Sequence, residues 1–294
     1  MINWGGTTYS IHPLFVMLLA LSAITGHILE LVTLFVIVII HEMGHVLTAK
    51  AFGWSIEEVK LLPFGGVAET KDGAVAPGWQ ECIVAAAGPL QNGIMIVIAL
   101  WFAHMGIWSL EWANYFIEAN MLIACFNLLP ILPLDGGRML QASCGRLVSY
   151  HRMLIMGVWF SLVSSTLLGI FALLPLFNKE PLHLNMLVLS IFLAWSNWVE
   201  RKHIPYRFVR FLVNRPKRLR RWEQEIHLGQ PIITVADRPV SAILKRFRRD
   251  MYHLIYIMGQ NGRIEKIIPE QQLIDAYFDD PNSSPEQSQK PTKR

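Results

Sequence analysis

Long apolar segments with few charges recur along the first 200 residues of the chain. They cover residues 11–29, 28–51, 81–108, 112–126, 153–177 and 182–199. A helix of about 20 apolar residues is long enough to cross the hydrocarbon core of a bilayer. The pattern therefore predicts a polytopic α-helical membrane protein with six transmembrane helices.

Two other regions contain shorter apolar stretches, which predict shorter elements. Residues 53–70 contain brief apolar clusters bounded by Gly and Pro, which favours a small β element at the membrane face, although a plain loop fits nearly as well. After residue 225 the chain alternates between predicted strands at 231–235, 253–258 and 264–268 and predicted helices at 240–249 and 270–278. This order predicts a small C-terminal α/β domain.

The composition divides the chain into four parts. Residues 1–200 form the predicted six-span core, 201–224 a basic juxtamembrane linker, 225–280 the α/β domain and 281–294 a polar, disordered tail. With 53% hydrophobic and only 16% charged residues, the chain does not resemble an ordinary soluble protein. The N-terminal ten residues lack a basic stretch and a small-residue cleavage site, so no cleavable signal sequence is expected.

Basic residues predict the orientation in the membrane. The loops on one side of the six predicted spans hold Lys50, Lys60, Lys71, Arg138, Arg146, Arg152 and the basic cluster after residue 200, whereas the other side holds Lys179. The positive-inside rule then makes both termini cytoplasmic. Residues 201–221 contain nine Lys or Arg and no acidic residue, which favours contact with anionic lipid. The shortness of the segment and its attachment to a membrane argue against a nucleic-acid partner.

The candidate chemistry begins at His41-Glu42-Met43-Gly44-His45, directly after the uncharged run 31–40. Histidines four residues apart share one face of a helix, so both imidazoles can bind one metal ion. Glu42 lies about 100° around the helix from His41, where its carboxylate can reach water beside the metal without being a third ligand. An ionisable group at bilayer depth costs about 2.5–3.5 kcal/mol, so its presence there indicates function.

Asp135 lies in an irregular segment, residues 126–138, in which Pro130 and Pro133 end the preceding helix. Two histidines and one carboxylate with an open fourth position form the pattern of a catalytic zinc site. An Asp before two glycines is also ordinary turn chemistry. Two further polar residues lie at bilayer depth: Asn92 needs a partner in a neighbouring helix or in the active cavity, and Glu118 has no assigned partner.

The pairing of His41-Glu42-x-x-His45 with Asn127-Leu-Leu-Pro-Ile-Leu-Pro-Leu-Asp135-Gly-Gly resembles the site-2 protease family of intramembrane zinc metalloproteases. The resemblance covers about residues 1–200. It implies that His41, His45 and Asp135 bind one Zn²⁺ per chain and that Glu42 is the catalytic base. It also implies that Asn127 helps to position the substrate or the loop. Leu132 replaces a proline that is common in the family, and we expect little effect.

The C-terminal residues 225–280 are similar to a CBS domain, and a membrane core followed by such a module resembles the sporulation branch of this family. That branch implies a membrane-associated substrate, the pro-form of a sigma factor, cleaved at the outer forespore membrane. Membrane inhibitor proteins are implied partners. Because CBS repeats pack in pairs and one repeat is present, the resemblance implies a homodimer or higher oligomer and ATP binding by this domain, but no residue identifies a nucleotide site.

Two functions of other classes stay open on the residues alone. A zinc transporter could use His41, His45 and Asp135 as a transient site, and a membrane scaffold could lack catalysis altogether. Replacing Glu42 by Gln separates the protease from the transporter, because transport does not need a residue that is not a ligand. An intact Glu42 disfavours the scaffold.

Overall fold

The computed structural model describes residues 2–4, 7–11, 26, 28–62, 65–70, 76–145, 147–178, 181–216, 229–259 and 262–280. The chain divides into two compact units, residues 1–142 and 143–294. The predicted disordered tail, most of the first predicted span, residues 217–224 of the predicted linker and residues 225–228 of the predicted α/β domain lie outside the described residues.

The first unit combines a four-stranded sheet with long helices. Its strands are β1 (Ile2–Trp4), β2 (Thr7–Ile11), β3 (Ile56–Leu62) and β4 (Gly65–Thr70), in the order β1-β2-β3-β4. β2 and β3 are parallel, with Tyr9 opposite Val59, and the two outer pairs are antiparallel. The small β element predicted at residues 53–70 is therefore confirmed, and it is joined by two N-terminal strands.

Three long helices pack together in this unit: α1 (Ile28–Ala51), α2 (Gly78–His104) and α3 (Leu110–Asn127). Their apolar contact centres on Ile37, Met95 and Ala119, all of which are buried. Gly44 lets α1 approach α2 closely, because a Cβ atom there would lie 2.7 Å from the carbonyl oxygen of Ala87. Small residues at helix interfaces permit this approach within a membrane.

The distribution of polarity in these helices is the reverse of that in a soluble protein. Asn92 and Asn120 are fully buried, whereas Leu47 and Val97 are exposed over 60% and 65% of their surfaces. Apolar side chains on the outside suit contact with lipid, and polar side chains inside need protein partners.

Three of the described helical segments are long and apolar enough to cross a membrane: Ile28–Ala51, Gly78–His104 and Tyr150–Phe177. The fourth and sixth predicted spans are also helical, but they are less apolar, since the first of these contains Glu111, Glu118 and three asparagines. The chain is thus a mostly helical membrane protein, and the full number of six spans stays a prediction.

A short helix, α4 (Asp135–Cys144), follows the proline-containing segment after α3. The sequence predicts irregular backbone around Asp135, whereas the structure makes Asp135 the first residue of this helix. Gly136 and Gly137 favour neither a helix nor a strand, but both pack directly against the preceding backbone. A Cβ atom on Gly137 would lie 2.6 Å from the carbonyl oxygen of Ile131, so tertiary contact fixes what local propensity does not.

The second unit contains the remaining long helices and a three-stranded sheet. Its elements are α5 (Tyr150–Leu173), a 3₁₀ turn (Leu174–Asn178), α6 (Leu184–Val213), β5 (Gly229–Val235), α7 (Val240–Leu244), β6 (Tyr252–Met258), β7 (Ile264–Pro269) and α8 (Glu270–Asp279). The sheet order is β5-β6-β7, with β5 parallel and β7 antiparallel to β6.

The C-terminal elements follow the predicted order of strands and helices, with two differences. α7 ends at Leu244 rather than at residue 249, because the backbone N–H of Arg248 donates to Nε2 of His253 instead of continuing the helix. α6 continues through Val213, so the first half of the predicted basic linker is helical. The elements do not by themselves identify a CBS domain.

A buried ion pair joins the chain just after α6 to the C-terminal sheet. Arg215 makes two hydrogen bonds to the carboxylate of Glu270, each 3.0 Å long, and it also donates to the carbonyl oxygens of Arg248 and Met251. The side chains of Arg215 and Glu270 are 1% and 0% exposed. Because every oxygen and nitrogen here has a charged or polar partner, the burial of both charges is tolerated.

His253 completes this network. Its Nε2 accepts from the backbone N–H of Arg248, so its hydrogen lies on Nδ1, which donates to Glu270 over 3.2 Å. Burial disfavours the imidazolium and holds the pKa of His253 below its ordinary value, although the hydrogen bond to Glu270 opposes this shift. Burial alone would raise the pKa of Glu270, but the hydrogen bond from His253 and the charge of Arg215 outweigh it and the pKa is lowered.

Candidate metal centre

The two histidines of the sequence motif lie one turn apart on α1 and face inward. Their side chains are almost completely buried, and their Nε2 atoms lie 3.2 Å apart. The rings meet edge to face with centroids 4.9 Å apart, so neither ring blocks the Nε2 atom of the other. The helical spacing of four residues produces this arrangement directly.

Asp135 meets both histidines from a segment about 90 residues further along the chain. Its Oδ2 atom lies 3.1 Å from Nε2 of His41 and 3.2 Å from Nε2 of His45. The close packing of Gly136 and Gly137 against residues 128–132 positions the start of α4 for this contact. The structure therefore brings His41, His45 and Asp135 together as a buried cluster of metal-ligand type, as the sequence predicts.

Hydrogen bonds behind the cluster orient the imidazole rings. Nδ1 of His45 lies 2.7 Å from the carbonyl oxygen of Val84, which can only accept, so the hydrogen is on Nδ1 and Nε2 is bare. Nδ1 of His41 lies 2.5 Å from Oδ1 of Asn92. Partners of this kind on the outer nitrogen are typical of metal-binding histidines.

The site fits a zinc ion in donor type and in size. Two bare imidazole nitrogens and a carboxylate oxygen converge, and three acceptors facing one another call for a cation between them. Ligands about 2.0–2.1 Å from a tetrahedral centre lie about 3.3 Å apart, close to the 3.1–3.2 Å separations found between these atoms. Three protein ligands leave a fourth position open, as in catalytic sites.

Gly88 provides the space that such an ion needs. A Cβ atom at this position of α2 would lie 2.6 Å from Nε2 of His41 and closer still to Nε2 of His45. The absence of a side chain thus leaves a cradle beside both nitrogens, on the side where the helices meet. The sequence alone does not reveal this role, although the small-residue stretch around Gly88 is a signal of close helix packing.

The other predicted site residues differ in their surroundings. Glu42 is partly exposed on α1 and lies outside the group formed by His41, His45 and Asp135, and its role as the base stays a prediction. Asn127, the last residue of α3, donates from Nδ2 to the carbonyl oxygen of Ile123 over 3.1 Å, and its positioning role stays a prediction. Glu118 is exposed on α3.

Sequence reasoning left the partner of Asn92 open and missed Val84, Gly88 and Asn120. Asn92 contacts both alternatives at once, since it bonds to His41 of the cluster and to Asn120 of the neighbouring helix. The only signal in the sequence is a polar amide in each of two apolar helices. Val84 acts through its backbone, for which no sequence signal exists.

Comparisons with known proteins agree with this arrangement. Residues 29–108 match the family model described as peptidase family M50. The chain is 34% identical over 280 residues to Stage IV sporulation protein FB of Bacillus subtilis (strain 168), covering 94% of both chains. It is 36% identical over 122 residues to zinc metalloprotease MJ0392 of Methanocaldococcus jannaschii, covering 40% of this chain and 35% of that one.

A solved structure is also similar. The site-2 protease from Methanocaldococcus jannaschii matches with a TM-score of 0.55 and 26% sequence identity, covering 68% of this chain and 93% of that one. The matched share of this chain is larger than the first unit alone. The fold of the membrane part is therefore similar to that of the solved protease.

Proposed function

Because the chain belongs to peptidase family M50, the site-2 proteases, and is an intramembrane zinc metalloendopeptidase, we propose that it cleaves the pro-sequence of a sporulation sigma factor held at the membrane. Support for this substrate comes from the similarity to Stage IV sporulation protein FB, which extends over 94% of both chains. Membership of a protease family disfavours the transporter and scaffold alternatives.

In this proposal the roles of the site residues follow from their positions. His41, His45 and Asp135 hold the zinc ion, whose chemistry when bound is to polarise the peptide carbonyl and acidify water. Glu42 is the general base: it is partly exposed beside the buried ligands, where it can take a proton from water and return it to the leaving amine. Asn127, at the end of α3 before the proline-containing segment, positions the substrate or that segment.

The observation that carries the proposal is the meeting of three buried ligand-type side chains from α1 and α4. The test is co-expression with a tethered pro-sigma factor, comparing wild type with Glu42→Gln. The variant keeps all three ligands, so it should bind zinc as the wild type does and release no smaller product. Cleavage that persists in Glu42→Gln would overturn the role of Glu42. Cleavage of other tethered proteins but not of the pro-sigma factor would overturn the substrate.

The proposed location is the outer forespore membrane, with both termini in the cytoplasm. Basic residues on α6 support the orientation, since Arg201, Lys202, Arg207 and Arg210 form a cationic end after the apolar part of this helix. The guanidinium of Arg201 lies 4.1 Å above the ring of Trp198, an arrangement suited to the interface with anionic lipid. The orientation is tested in non-sporulating cells, where the expressed protein enters the plasma membrane. A C-terminal tag should resist protease added outside intact cells and be digested after lysis, and digestion in intact cells would contradict the orientation.

A homodimer through the C-terminal sheet is the proposed assembly. α8 packs against β6 and β7, and one face of the sheet carries the buried residues of β6. On the opposite face, Ile233, Val235, Ile264 and Ile267 are 48–62% exposed. A second copy would cover these side chains. Ile233→Asp should shift the detergent-solubilised protein from dimer to monomer in sedimentation. Phe278→Asp, which replaces an exposed side chain of α8, should not.

Two further expectations rest on the family resemblance alone. The first is that membrane inhibitor proteins hold the enzyme inactive, which co-purification from sporulating cells would test. The second is that ATP binds the C-terminal domain, and cleavage rates measured with and without ATP would test it. An unchanged rate and unchanged substrate binding would remove the nucleotide from the proposal.

A further inference from the structure

Two asparagines lie completely buried between apolar helices of the first unit, Asn92 on α2 and Asn120 on α3. An amide in such surroundings is costly unless its donors and acceptors are paired. Both are paired with each other: Nδ2 of Asn92 donates to Oδ1 of Asn120 over 3.1 Å. Asn120 also hydrogen-bonds to a backbone carbonyl, and Asn92 also hydrogen-bonds to His41, so the four groups form one chain of hydrogen bonds.

The backbone end fixes the direction of every hydrogen bond in this chain. The carbonyl oxygen of Phe116 can only accept, so the group of Asn120 that lies 2.8 Å away must be its Nδ2. Oδ1 of Asn120 is then turned towards Asn92 and accepts from Nδ2 of that residue. Oδ1 of Asn92 is left facing His41, so Nδ1 of His41 must carry a hydrogen, and Nε2 of the neutral imidazole is bare.

The two histidines of the cluster thus reach the same tautomer by different routes. His45 obtains it directly from the backbone carbonyl of Val84. His41 has an amide oxygen at that position, and an isolated amide could present either oxygen or nitrogen to the ring. Asn120 removes this freedom, because reversing Asn92 would place two oxygens or two N–H groups against each other.

We propose that Asn92 and Asn120 are positioning residues that hold His41 in the tautomer able to bind a metal through Nε2. The inference rests on the proposed zinc site and deepens it. A purely structural role, in which the amides only hold α1, α2 and α3 together, would be met equally by any well-packed side chains. The two roles differ in whether an acceptor opposite Nδ1 of His41 matters for metal binding.

The test measures zinc affinity by chelator competition on the purified full-length protein in detergent, together with the visible absorption spectrum after Co²⁺ substitution. Asn92→Leu keeps the approximate volume and removes the acceptor, so it should bind zinc about 10–100-fold more weakly, the usual effect of losing such a partner. Asn92→Asp keeps an acceptor for Nδ1, although its second oxygen faces Oδ1 of Asn120, so it should bind zinc more tightly than Asn92→Leu does. The Co²⁺ spectrum should change in Asn92→Leu and be retained in Asn92→Asp.

Asn120→Leu gives an independent test, because it leaves every direct contact of His41 in place. It should weaken zinc binding less than Asn92→Leu does, and the double variant should bind no more weakly than Asn92→Leu alone, since Asn120 acts through Asn92. Asn197→Leu is the control. Asn197 is also a buried helical asparagine that donates to the carbonyl four residues earlier, and its replacement should leave zinc affinity unchanged.

Each outcome decides between the alternatives. Equal zinc affinity in wild type, Asn92→Leu and Asn120→Leu would overturn the relay while leaving the proposed metal site intact. A loss in Asn197→Leu as large as in Asn92→Leu, or a loss in Asn92→Asp as large as in Asn92→Leu, would also overturn it. If the wild type itself bound no zinc, the proposed function would fail first. Should Asn92→Leu not fold, the comparison of Asn120→Leu with Asn197→Leu decides.

Discussion

Adding one methyl group at Gly88 should strongly weaken zinc binding, although alanine favours the helix itself. In Gly88→Ala the new Cβ atom would lie 2.6 Å from Nε2 of His41 and closer still to Nε2 of His45. Carbon and nitrogen atoms normally pack about 3.5 Å apart, so the ring of His41 must retreat by about 0.9 Å. A zinc site tolerates about 0.2 Å of error in its ligand distances. At least one histidine is therefore lost as a ligand.

The magnitude follows from the number of ligands. Zinc in a site of four protein ligands is bound by about 10–16 kcal/mol, or about 2.5–4 kcal/mol for each ligand. Losing one ligand should then weaken zinc binding by at least about 60-fold. The helix itself should be favoured, since replacing glycine by alanine within a helix contributes about 1 kcal/mol. Chelator competition measures the first effect and thermal unfolding measures the second.

Gly93 on the same helix provides the matched control. A Cβ atom at Gly93 meets nothing within 4 Å, so Gly93→Ala has the same propensity effect without the obstruction. It should retain zinc binding and proteolysis. Gly88→Ala with the zinc affinity of Gly93→Ala would refute the assignment of this cradle to the metal. Equal loss in both variants would show that the helix, and not the cradle, is responsible.

Two further predictions concern the buried network of the second unit. Arg215→Met should destabilise this unit by about 3–5 kcal/mol in urea unfolding, because it leaves Glu270 charged and buried. The double variant Arg215→Met/Glu270→Met should recover much of this lost stability, and a double variant less stable than the single one would contradict the prediction. The folded-state pKa values of His253 and Glu270 are both lowered, so the unfolded chain binds protons first as the pH falls. Stability should be complete above pH of about 6.5, decline below it through His253, and decline further below about 4.3 through Glu270. His253→Gln should remove the upper part of this decline in melting temperature, and an unchanged pH profile in that variant would contradict the assignment.

Local patterns in the sequence account for several parts of the fold. The apolar period of α1 and the spacing of His41 and His45 place both imidazoles on one face whatever surrounds the helix. The β-branched runs around Ile232 and Ile255 likewise identify strands of the C-terminal sheet. Propensity fails at α4, where two glycines begin a helix because their backbones pack against residues 128–132, and at α7, where a bond from Arg248 to His253 ends the helix early.

Some residues of the candidate site can likewise be identified from the sequence, and others cannot. Its ligands could be identified because ionisable residues in apolar segments are conspicuous, and the pairing of Asp135 with the two histidines came from a motif resemblance. Gly88 and the two asparagines could not be assigned roles, since a glycine or an amide in a helix has many uses. Their significance depends on the atom opposite them. Nε2 of His41 would lie 2.6 Å from a Cβ atom added at Gly88, and Nδ1 of His41 lies 2.5 Å from Oδ1 of Asn92.

The sequence by itself determined that this chain is an apolar helical protein with a metal-binding face on α1, because helical period and hydrophobicity are properties of neighbouring residues. Only the tertiary structure decided which side chains oppose that face. The tautomer of His41 depends on a carbonyl group in α3, and the space for an ion depends on a missing Cβ atom in α2. Both features involve segments that are far apart in the sequence, and only the packing of the helices brings those segments together.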